Sequence, residues 1–198
     1  MAVSVEHDKR RQKILEKALA VFMEDGFENA TFQKIADKCG ITRTILYLYF
    51  KNKREIFNYS IKQFLFSVEE GINSICSDES LDSAEKISQV LLSILKQLEQ
   101  SRQLLYVVLN YLLHLSKSDA DPEDRVRRRT VKLHRILSAL VIEGIKSGEL
   151  KKAKVKIIHD YLYGFIEAAI YQLTVLKREN LKELKEAVVF AVNQLKAR

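Results

Sequence analysis

Apolar side chains recur along the N-terminal stretch DKRRQKILEKALAVFMEDGF at the spacing of one face of an amphipathic helix. They stand at Ile14, Leu15, Ala18, Leu19 and Phe22. Asp25 and Gly26 follow the last of them, and a glycine after a periodic apolar run is typical of a helix end. The first helix is therefore predicted to end at Asp25-Gly26.

A second, shorter helix is predicted directly after this break. Thr31 precedes it, and a threonine hydroxyl at that place accepts a hydrogen bond from a backbone N–H of the first turn, so Thr31 is an N-cap candidate. The apolar side chains that share one face of this helix are Phe32, Ile35, Ala36 and Cys39. Gly40 follows as the turn residue that ends the helix.

Two more helix starts follow Gly40. Thr42 is the capping candidate for RTILYLYF, and Asn52 with Glu55 three residues later fits a capping box at the start of a fourth helix. From Lys53 the helical pattern continues to about residue 74 without a Pro- or Gly-rich linker. The fourth helix is thus predicted to join two regions of the chain without interruption.

The remaining pattern predicts five more helices, at about residues 82–99, 102–117, 123–147, 152–177 and 180–196. One proline and six glycines among 198 residues disfavour the many tight turns of a sheet protein. The predicted fold class is all-α with about nine helices. We expect two domains: residues 1–52 with three helices, and residues 53–198 with a helical bundle.

The second and third helices, joined at Gly40, fit a helix-turn-helix, in which the second helix of the pair enters the major groove of DNA. Ala36 is small enough for the two helices to cross closely. Helical spacing directs Arg43, Thr44 and Tyr47 outward. The apolar residues predicted to pack inward are Ile41, Ile45 and Leu46.

The outward residues carry the chemistry that reads DNA. The Arg43 guanidinium suits guanine O6 and N7 or a phosphate, and Thr44 suits a base edge or a thymine methyl group. Hydroxyl, phenol and ammonium groups that suit phosphates are supplied by Thr31, Thr42, Tyr47, Tyr49 and Lys53. Each residue alone is commonly a cap, a solvated charge or a core aromatic. Their ordered combination within about forty residues favours a DNA reader.

Residues 9–57 resemble the N-terminal DNA-binding domain of the tetracycline-repressor (TetR) family of transcriptional regulators. The family pattern runs from R..IL..A...F...G...T....IA...G into GVSKGTLYxYFxxKxxLF, and this chain has RQKILEKALAVFMEDGFENATFQKIADKCGITRTILYLYFKNKREIF in register. The resemblance implies base and phosphate contacts from Thr42, Arg43, Thr44 and Tyr47. It implies phosphate contacts from Thr31, Tyr49 and Lys53.

The chain departs from the family pattern at two positions of the third helix. Thr44 replaces a frequent glycine, which bears on base preference. Ile45 replaces a frequent small polar residue, which argues against an outward contact from position 45.

The last two predicted helices suit a homodimer interface. The segment HDYLYGFIEAAIYQLTVL is apolar on nearly every side, so it needs a second surface besides its own core. The final helix has an apolar stripe, and together the two helices can form half of a four-helix interface. The predicted interface residues are Gly164, Glu167, Ala168, Tyr171, Leu184, Val188, Val192 and Leu195. Completion of a monomeric core is the alternative.

A small, largely apolar or amphipathic effector is expected to bind among the fourth to eighth helices. The aromatic residues predicted to line its pocket are Phe57, Phe64, Tyr106, Tyr111, Tyr161 and Phe165. The polar residues predicted there are Asn110, His114 and His134. Polar groups in an apolar run need hydrogen-bond partners, which a ligand or neighbouring helices can supply.

Composition narrows the function classes further. Eleven Lys and Arg less seven Asp and Glu give residues 1–54 a charge of +4, out of +7 for the chain, which is compatible with a polyanionic partner. Cys39 and Cys76 lack metal-ligand spacing, and we expect them to be reduced thiols in a cytoplasmic protein without secretory leader, membrane span or cofactor. No nucleophile elbow, phosphate loop or metal motif indicates an enzyme.

The function predicted is that of a transcriptional regulator, a repressor that binds a palindromic operator as a homodimer and is released by its effector. Two alternatives stay open. One is a ligand-independent DNA-binding dimer controlled by a protein partner or by its own concentration. The other is control through oxidation of Cys39, which lies in the second helix of the motif.

Overall fold

The computed structural model describes residues 2–115 and 122–197, and within these ranges the chain forms nine helices and no strand. They are α1 (Ala2–Asn29), α2 (Phe32–Cys39), α3 (Arg43–Tyr47), α4 (Lys53–Cys76), α5 (Ser83–Gln100), α6 (Arg102–Leu115), α7 (Pro122–Ser147), α8 (Val155–Thr174) and α9 (Lys182–Leu195). The all-α prediction with about nine helices is confirmed. The predicted end of the sixth helix at residue 117 lies outside the described residues.

Helix α1 begins at Ala2, and its regular part ends where the sequence predicts, at Asp25-Gly26. Gly26 adopts φ 76°, ψ 159°, a non-helical conformation that glycine accepts without steric cost, and the helix is kinked there. A short further segment continues to Asn29, which was not predicted. The Ala30 N–H then donates to the Gly26 carbonyl at 3.1 Å, which closes one further turn.

The caps predicted around the second and third helices are confirmed. The Thr31 hydroxyl accepts from the Lys34 N–H at 3.1 Å, and the Thr42 hydroxyl accepts from the Ile45 N–H at 3.3 Å. Between them Gly40 adopts φ 67°, ψ 34°, and its N–H donates to the end of α2. These local bonds set the turn that brings α3 against α2.

The start of α4 forms half of the predicted capping box. The Asn52 side chain accepts from the Glu55 N–H at 2.9 Å. The Glu55 carboxylate returns to the N–H of Lys51 instead of that of Asn52. The uninterrupted helix predicted from Lys53 is confirmed as α4.

The described residues group into two compact units. Unit 1 contains residues 2–65 and 103–115, and unit 2 contains residues 66–102 and 122–197. The core of unit 1 draws on α1 to α4 and on α6, which contributes Leu104 and Val107. The predicted functional boundary between residues 52 and 53 stays a prediction.

Helix α5 is the central helix of unit 2 and packs against α7, α8 and α9. Its buried apolar residues are Ile87, Val90, Leu91, Ile94, Leu95 and Leu98. A complete capping box of Asp82 and Glu85 fixes its start. Near its end, the Glu99 carboxylate accepts from the Leu181 N–H at 2.6 Å and also binds the Lys185 ammonium, which ties α5 to the start of α9.

Over the described ranges, none of the helices combines the length and the apolar character that crossing a membrane requires.

Candidate nucleic-acid interface

Helix α3 is held by one buried residue and exposes the side chains around it. Leu46 is fully buried in the core of unit 1, together with Ile35 and Ala36 of α2. Arg43, Thr44 and Tyr47 are exposed, as predicted from their spacing. A five-residue helix anchored in this way offers most of its surface to a partner.

Arg43 and Tyr47 form a pair on the exposed face of α3. The Arg43 Nη2 donates to the Tyr47 hydroxyl at 2.9 Å, and the Tyr47 ring lies 4.8 Å from that of Phe32 on α2. Phe32 therefore supports Tyr47, and Tyr47 orients the guanidinium. A guanidinium carries five N–H donors, so most of them stay available for a base edge or a phosphate.

Thr31 and Thr42 are exposed caps whose oxygen atoms accept backbone N–H groups. Because a hydroxyl also carries one donor, each can still donate its O–H to a phosphate oxygen. The predicted phosphate contacts of both residues are therefore compatible with their capping role.

Tyr49 and Lys53 are held within unit 1 more firmly than the other predicted contacts. The half-buried Tyr49 stacks on His7 of α1, with ring centroids 4.7 Å apart. The Lys53 ammonium donates to the carbonyls of Phe27, Glu28 and Ala30. Their phosphate contacts stay predictions.

The sequence analysis did not predict two apolar residues that are exposed at this surface. Ile45 was predicted to pack inward, which is wrong, because its side chain is exposed beside the buried Leu46. Leu48, just after the end of α3, is 75% exposed. The shortness of α3 could have predicted this exposure, because in a five-residue helix only one position can face the core fully. Both side chains can meet thymine methyl groups.

The residues predicted to line an effector pocket divide between the two units. Unit 1 contains Phe57, Phe64, Tyr106, Asn110, Tyr111 and His114, and unit 2 contains His134, Tyr161 and Phe165. Phe57 is buried in the core of unit 1, with its ring 4.9 Å from that of Phe27 and 5.2 Å from that of Tyr111. Tyr161 is exposed and contacts Phe165 edge to face.

Asn110 and His114 differ from the expectation that they would lie in apolar surroundings. Both side chains are exposed on α6, and the Asn110 amide donates to the Tyr106 carbonyl at 3.1 Å. The apolar run of α6 thus has one polar edge toward solvent, so these side chains avoid the cost of burial without a partner.

A cleft of about 590 Å³ lies between α7 and α8 in unit 2. It is lined by Val126, Arg127, Thr130, His134, His159, Asp160, Tyr163 and Glu167. His134 Nδ1 lies 3.1 Å from His159 Nε2, and His159 Nδ1 lies 3.0 Å from the Asp160 carboxylate. Since a carboxylate only accepts, His159 donates from Nδ1 to Asp160, and in the matching tautomers its Nε2 accepts the Nδ1–H of His134. His134, alone of the predicted effector residues, lines this cleft.

Burial lowers the pKa of the His134 imidazole from its usual 6.5, and nearby His159 lowers it further. The Asp160 and Glu167 carboxylates oppose this shift only in part. The folded chain therefore binds a proton at His134 less readily than the unfolded chain does. The contribution to stability is complete above about pH 6.5 and is lost as the pH falls toward the folded pKa.

Replacing His134 with asparagine is expected to flatten the acid dependence of stability. The asparagine amide can still donate to His159 but takes up no proton in this range. Between about pH 7.5 and about pH 5.5, the wild type should lose more stability than the His134→Asn variant does. Thermal unfolding at the two pH values measures both losses. His114→Asn makes the same replacement at an exposed histidine of α6 and is the matched control. If stability depended on pH equally in the wild type and in His134→Asn, the lowered pKa of His134 would be contradicted.

The predicted dimer residues occupy several environments on α8 and α9. Gly164 has open space where a Cβ would project, Tyr171 is 53% exposed, and Glu167 is exposed. Ala168, Leu184 and Leu195 are half-buried. Val188 and Val192 are buried in unit 2, so they offer no surface to a second chain. The exposed apolar side chains of α9 are instead Val189 and Phe190.

Comparison with known proteins places this geometry among bacterial regulators. Residues 14–59 match the family described as "Bacterial regulatory proteins, tetR family". The chain is 28% identical over 163 residues to the "Fatty acid metabolism regulator protein" of Bacillus subtilis (strain 168), covering 80% of each chain. It is 40% identical over 50 residues to the "Probable acrEF/envCD operon repressor" of Escherichia coli (strain K12), covering 25% of this chain and 23% of that protein.

A solved structure extends the similarity over nearly the whole chain. It is the transcriptional regulator FadR from Bacillus subtilis in complex with stearoyl-CoA. The TM-score is 0.66 at 26% sequence identity, and the alignment covers 91% of this chain and 96% of that one.

Proposed function

The chain belongs to the tetR family of bacterial regulatory proteins, and from this premise we propose that it is a repressor that binds a palindromic operator as a homodimer. The observation that carries the proposal is α3: Leu46 anchors the helix, and Arg43, Thr44 and Tyr47 face outward. The relatives are transcriptional regulators and not enzymes. In this proposal residues 1–52 bind DNA in the cytoplasm, and residues 53–198 bind effector and form the dimer.

Homodimerisation is proposed through α8 and α9, because a symmetric operator needs two recognition helices about 34–36 Å apart. Exposed apolar side chains on these helices and just after the end of α8 support this assignment. They are Ile157, Tyr161, Tyr171, Val175, Leu176, Val189 and Phe190. Burial of such side chains against a second copy supplies the hydrophobic free energy that a stable dimer requires.

Replacing Tyr171 with arginine is expected to convert the dimer to monomer at micromolar concentrations, because the charge would lie in an apolar interface. Analytical ultracentrifugation measures the result. Ile142→Arg is the matched control: Ile142 is an exposed apolar residue of α7, outside the proposed surface. A dimer that withstands Tyr171→Arg and dissociates with Ile142→Arg would refute the α8 and α9 interface.

A long-chain fatty acyl-CoA is proposed as the effector. Both the relative named for fatty acid metabolism and the FadR complex with stearoyl-CoA support this class. An acyl-CoA is amphipathic, in keeping with the aromatic and polar residues predicted to line the site. We propose that α4, which contributes residues to both units, transmits occupancy to the DNA-binding helices, with a coupling of about 1–3 kcal/mol.

The effector proposal is tested by titrating operator-bound protein with stearoyl-CoA, stearate or CoA alone. Release of DNA by stearoyl-CoA, at concentrations where the other two have no effect, is the expected result. An operator affinity that is unchanged by stearoyl-CoA, in a sample where calorimetry shows that it binds, would contradict the coupling. If calorimetry shows no binding, the ligand class is wrong.

Control by oxidation of Cys39 is the weaker alternative. Burial raises the pKa of the Cys39 thiol, and Lys17 and Lys13 offset this only in part. Because the thiolate is the reactive form, a raised pKa disfavours oxidation at neutral pH. A response to peroxide that Cys39→Ser abolishes would restore this alternative.

A further inference from the structure

The second and third turns of α1 lie against the junction of α3 and α4. The His7 ring stacks on that of Tyr49, with centroids 4.7 Å apart and an angle of 25° between the ring planes. One turn later on the same face, the Arg11 guanidinium carbon lies 4.0 Å from the centre of the Tyr59 ring and 5.0 Å from that of Phe50. The stacking and the cation–π contacts together fix this part of α1.

His7 and Arg10 offer free donors at the surface beside this junction. Both side chains are exposed, and over the described ranges neither makes a hydrogen bond or an ion pair. They stand three residues apart, which places them side by side on one face of a helix. Imidazole and guanidinium both carry N–H donors, and phosphate oxygens accept such donors.

The same two side chains continue the surface that is predicted to bind DNA. His7 stacks on Tyr49, a residue with a predicted phosphate contact, and the Tyr49 hydroxyl has no hydrogen-bond partner among the described residues. Duplex DNA carries one negative charge per about 1.7 Å of its axis. A protein surface next to one bound phosphate therefore meets further phosphates, and here that surface carries His7 and Arg10.

The charge of this stretch also favours a polyanion. Residues 6–13, EHDKRRQK, contain four cations and two carboxylates, so their formal charge is +2 with a neutral histidine. The carboxylates of Glu6 and Asp8 oppose an anion, but both are exposed to solvent, where salt screens their repulsion. Residues 9–15 contain no carboxylate, so the excess of cations lies on the turn that carries Arg10.

We propose that His7 and Arg10 extend the DNA-binding surface of unit 1 and contact backbone phosphates of the operator beside the one that Tyr49 binds. The inference rests on the proposed function. It adds a contact outside the helix-turn-helix, and this contact increases affinity without reading any base. Arg10 supplies the ionic contact, His7 supplies an N–H donor, and Arg11 holds this part of α1 in place.

The first test compares Arg10→Ala with Lys9→Ala. Each variant removes one exposed cation, but Lys9 follows His7 by two residues, and side chains at that spacing do not face each other on a helix. Arg10→Ala should make the slope of log K against log salt shallower by about 0.9 per half-site, or about 1.8 for a homodimer. Lys9→Ala should keep the wild-type slope. Equal slopes for the two variants would overturn the proposal.

Two variants of His7 separate a phosphate contact from support of Tyr49. His7→Phe keeps a ring to stack on Tyr49 but has no N–H donor, and His7→Ala lacks both. Because a phosphate contact reads no sequence, both variants should weaken binding to operator and to random duplex by the same factor. His7→Phe with wild-type affinity would overturn the proposal, since the ring alone would then suffice. Unchanged melting temperatures check that each variant stays folded.

Failure of this inference can be told apart from failure of the proposed function. If the wild type selects no shared duplex sequence, the proposed function fails, and the salt slopes on random duplex still decide the phosphate contacts. If Arg43→Ala relaxes the base preference while Arg10→Ala and His7→Phe leave affinity and salt slope unchanged, α3 reads the operator and this inference alone fails.

Discussion

Replacing Arg43 with alanine is expected to weaken operator binding by about 1–3 kcal/mol in each half-site and to relax the preference at the base it reads. The reason is its position: it starts a five-residue helix anchored by Leu46, and its guanidinium is oriented by the Tyr47 hydroxyl. Because Arg43 is exposed, the melting temperature should change little. Fluorescence anisotropy with operator and with single-base variants measures the effect.

Two variants separate base reading from simple loss of charge. Tyr47→Phe keeps the ring on Phe32 but removes the hydroxyl that holds Arg43, so a smaller loss of the same base preference is expected. Arg102→Ala removes the same charge from an exposed position of α6 and should leave the preference intact. If Arg43→Ala kept both affinity and preference, Arg43 would not be the reader.

Replacing Phe57 with alanine is expected to destabilise unit 1 by about 3–5 kcal/mol, with loss of operator binding. Phe57 is only 3% exposed, and its ring contacts those of Phe22, Phe27 and Tyr111. The cavity left by its removal would open among the side chains that hold α1, α4 and α6 together. Chemical denaturation, followed by operator binding, measures both effects.

Phe165→Ala is the matched control among the predicted effector residues. Phe165 is half-buried in unit 2 and contacts the exposed Tyr161 edge to face, so its removal should cost much less stability. A Phe57→Ala protein as stable as the wild type, with a weakened effector response, would restore Phe57 to the effector site.

The DNA-binding helices could be predicted because their signals are local. Thr31, Gly40 and Thr42 act on backbone groups within four residues, and each adopts the capping geometry that its residue type favours. Gly26 interrupts α1 at the predicted place, again through its own backbone conformation. The short segment that follows it to Asn29 was not predicted; there the Ala30 N–H donates to the Gly26 carbonyl.

Contacts between distant residues could not be predicted in this way. Lys53 meets carbonyls 23 to 26 positions earlier in the chain, and His134 meets His159 25 positions later. Periodicity predicts an apolar stripe on α9, but it does not tell which neighbouring side chains face the core. Val188 lies inside, and Phe190, two residues later, is 67% exposed.

The central claim is that α3 of two copies reads a symmetric operator. Selection of bound sequences from random duplex DNA, with the full chain at low ionic strength, tests it most directly. The expected result is a palindromic consensus whose half-site centres lie about 34–36 Å apart, one turn of the duplex. Recovered duplexes without any shared sequence, or a consensus without two-fold symmetry, would contradict the account.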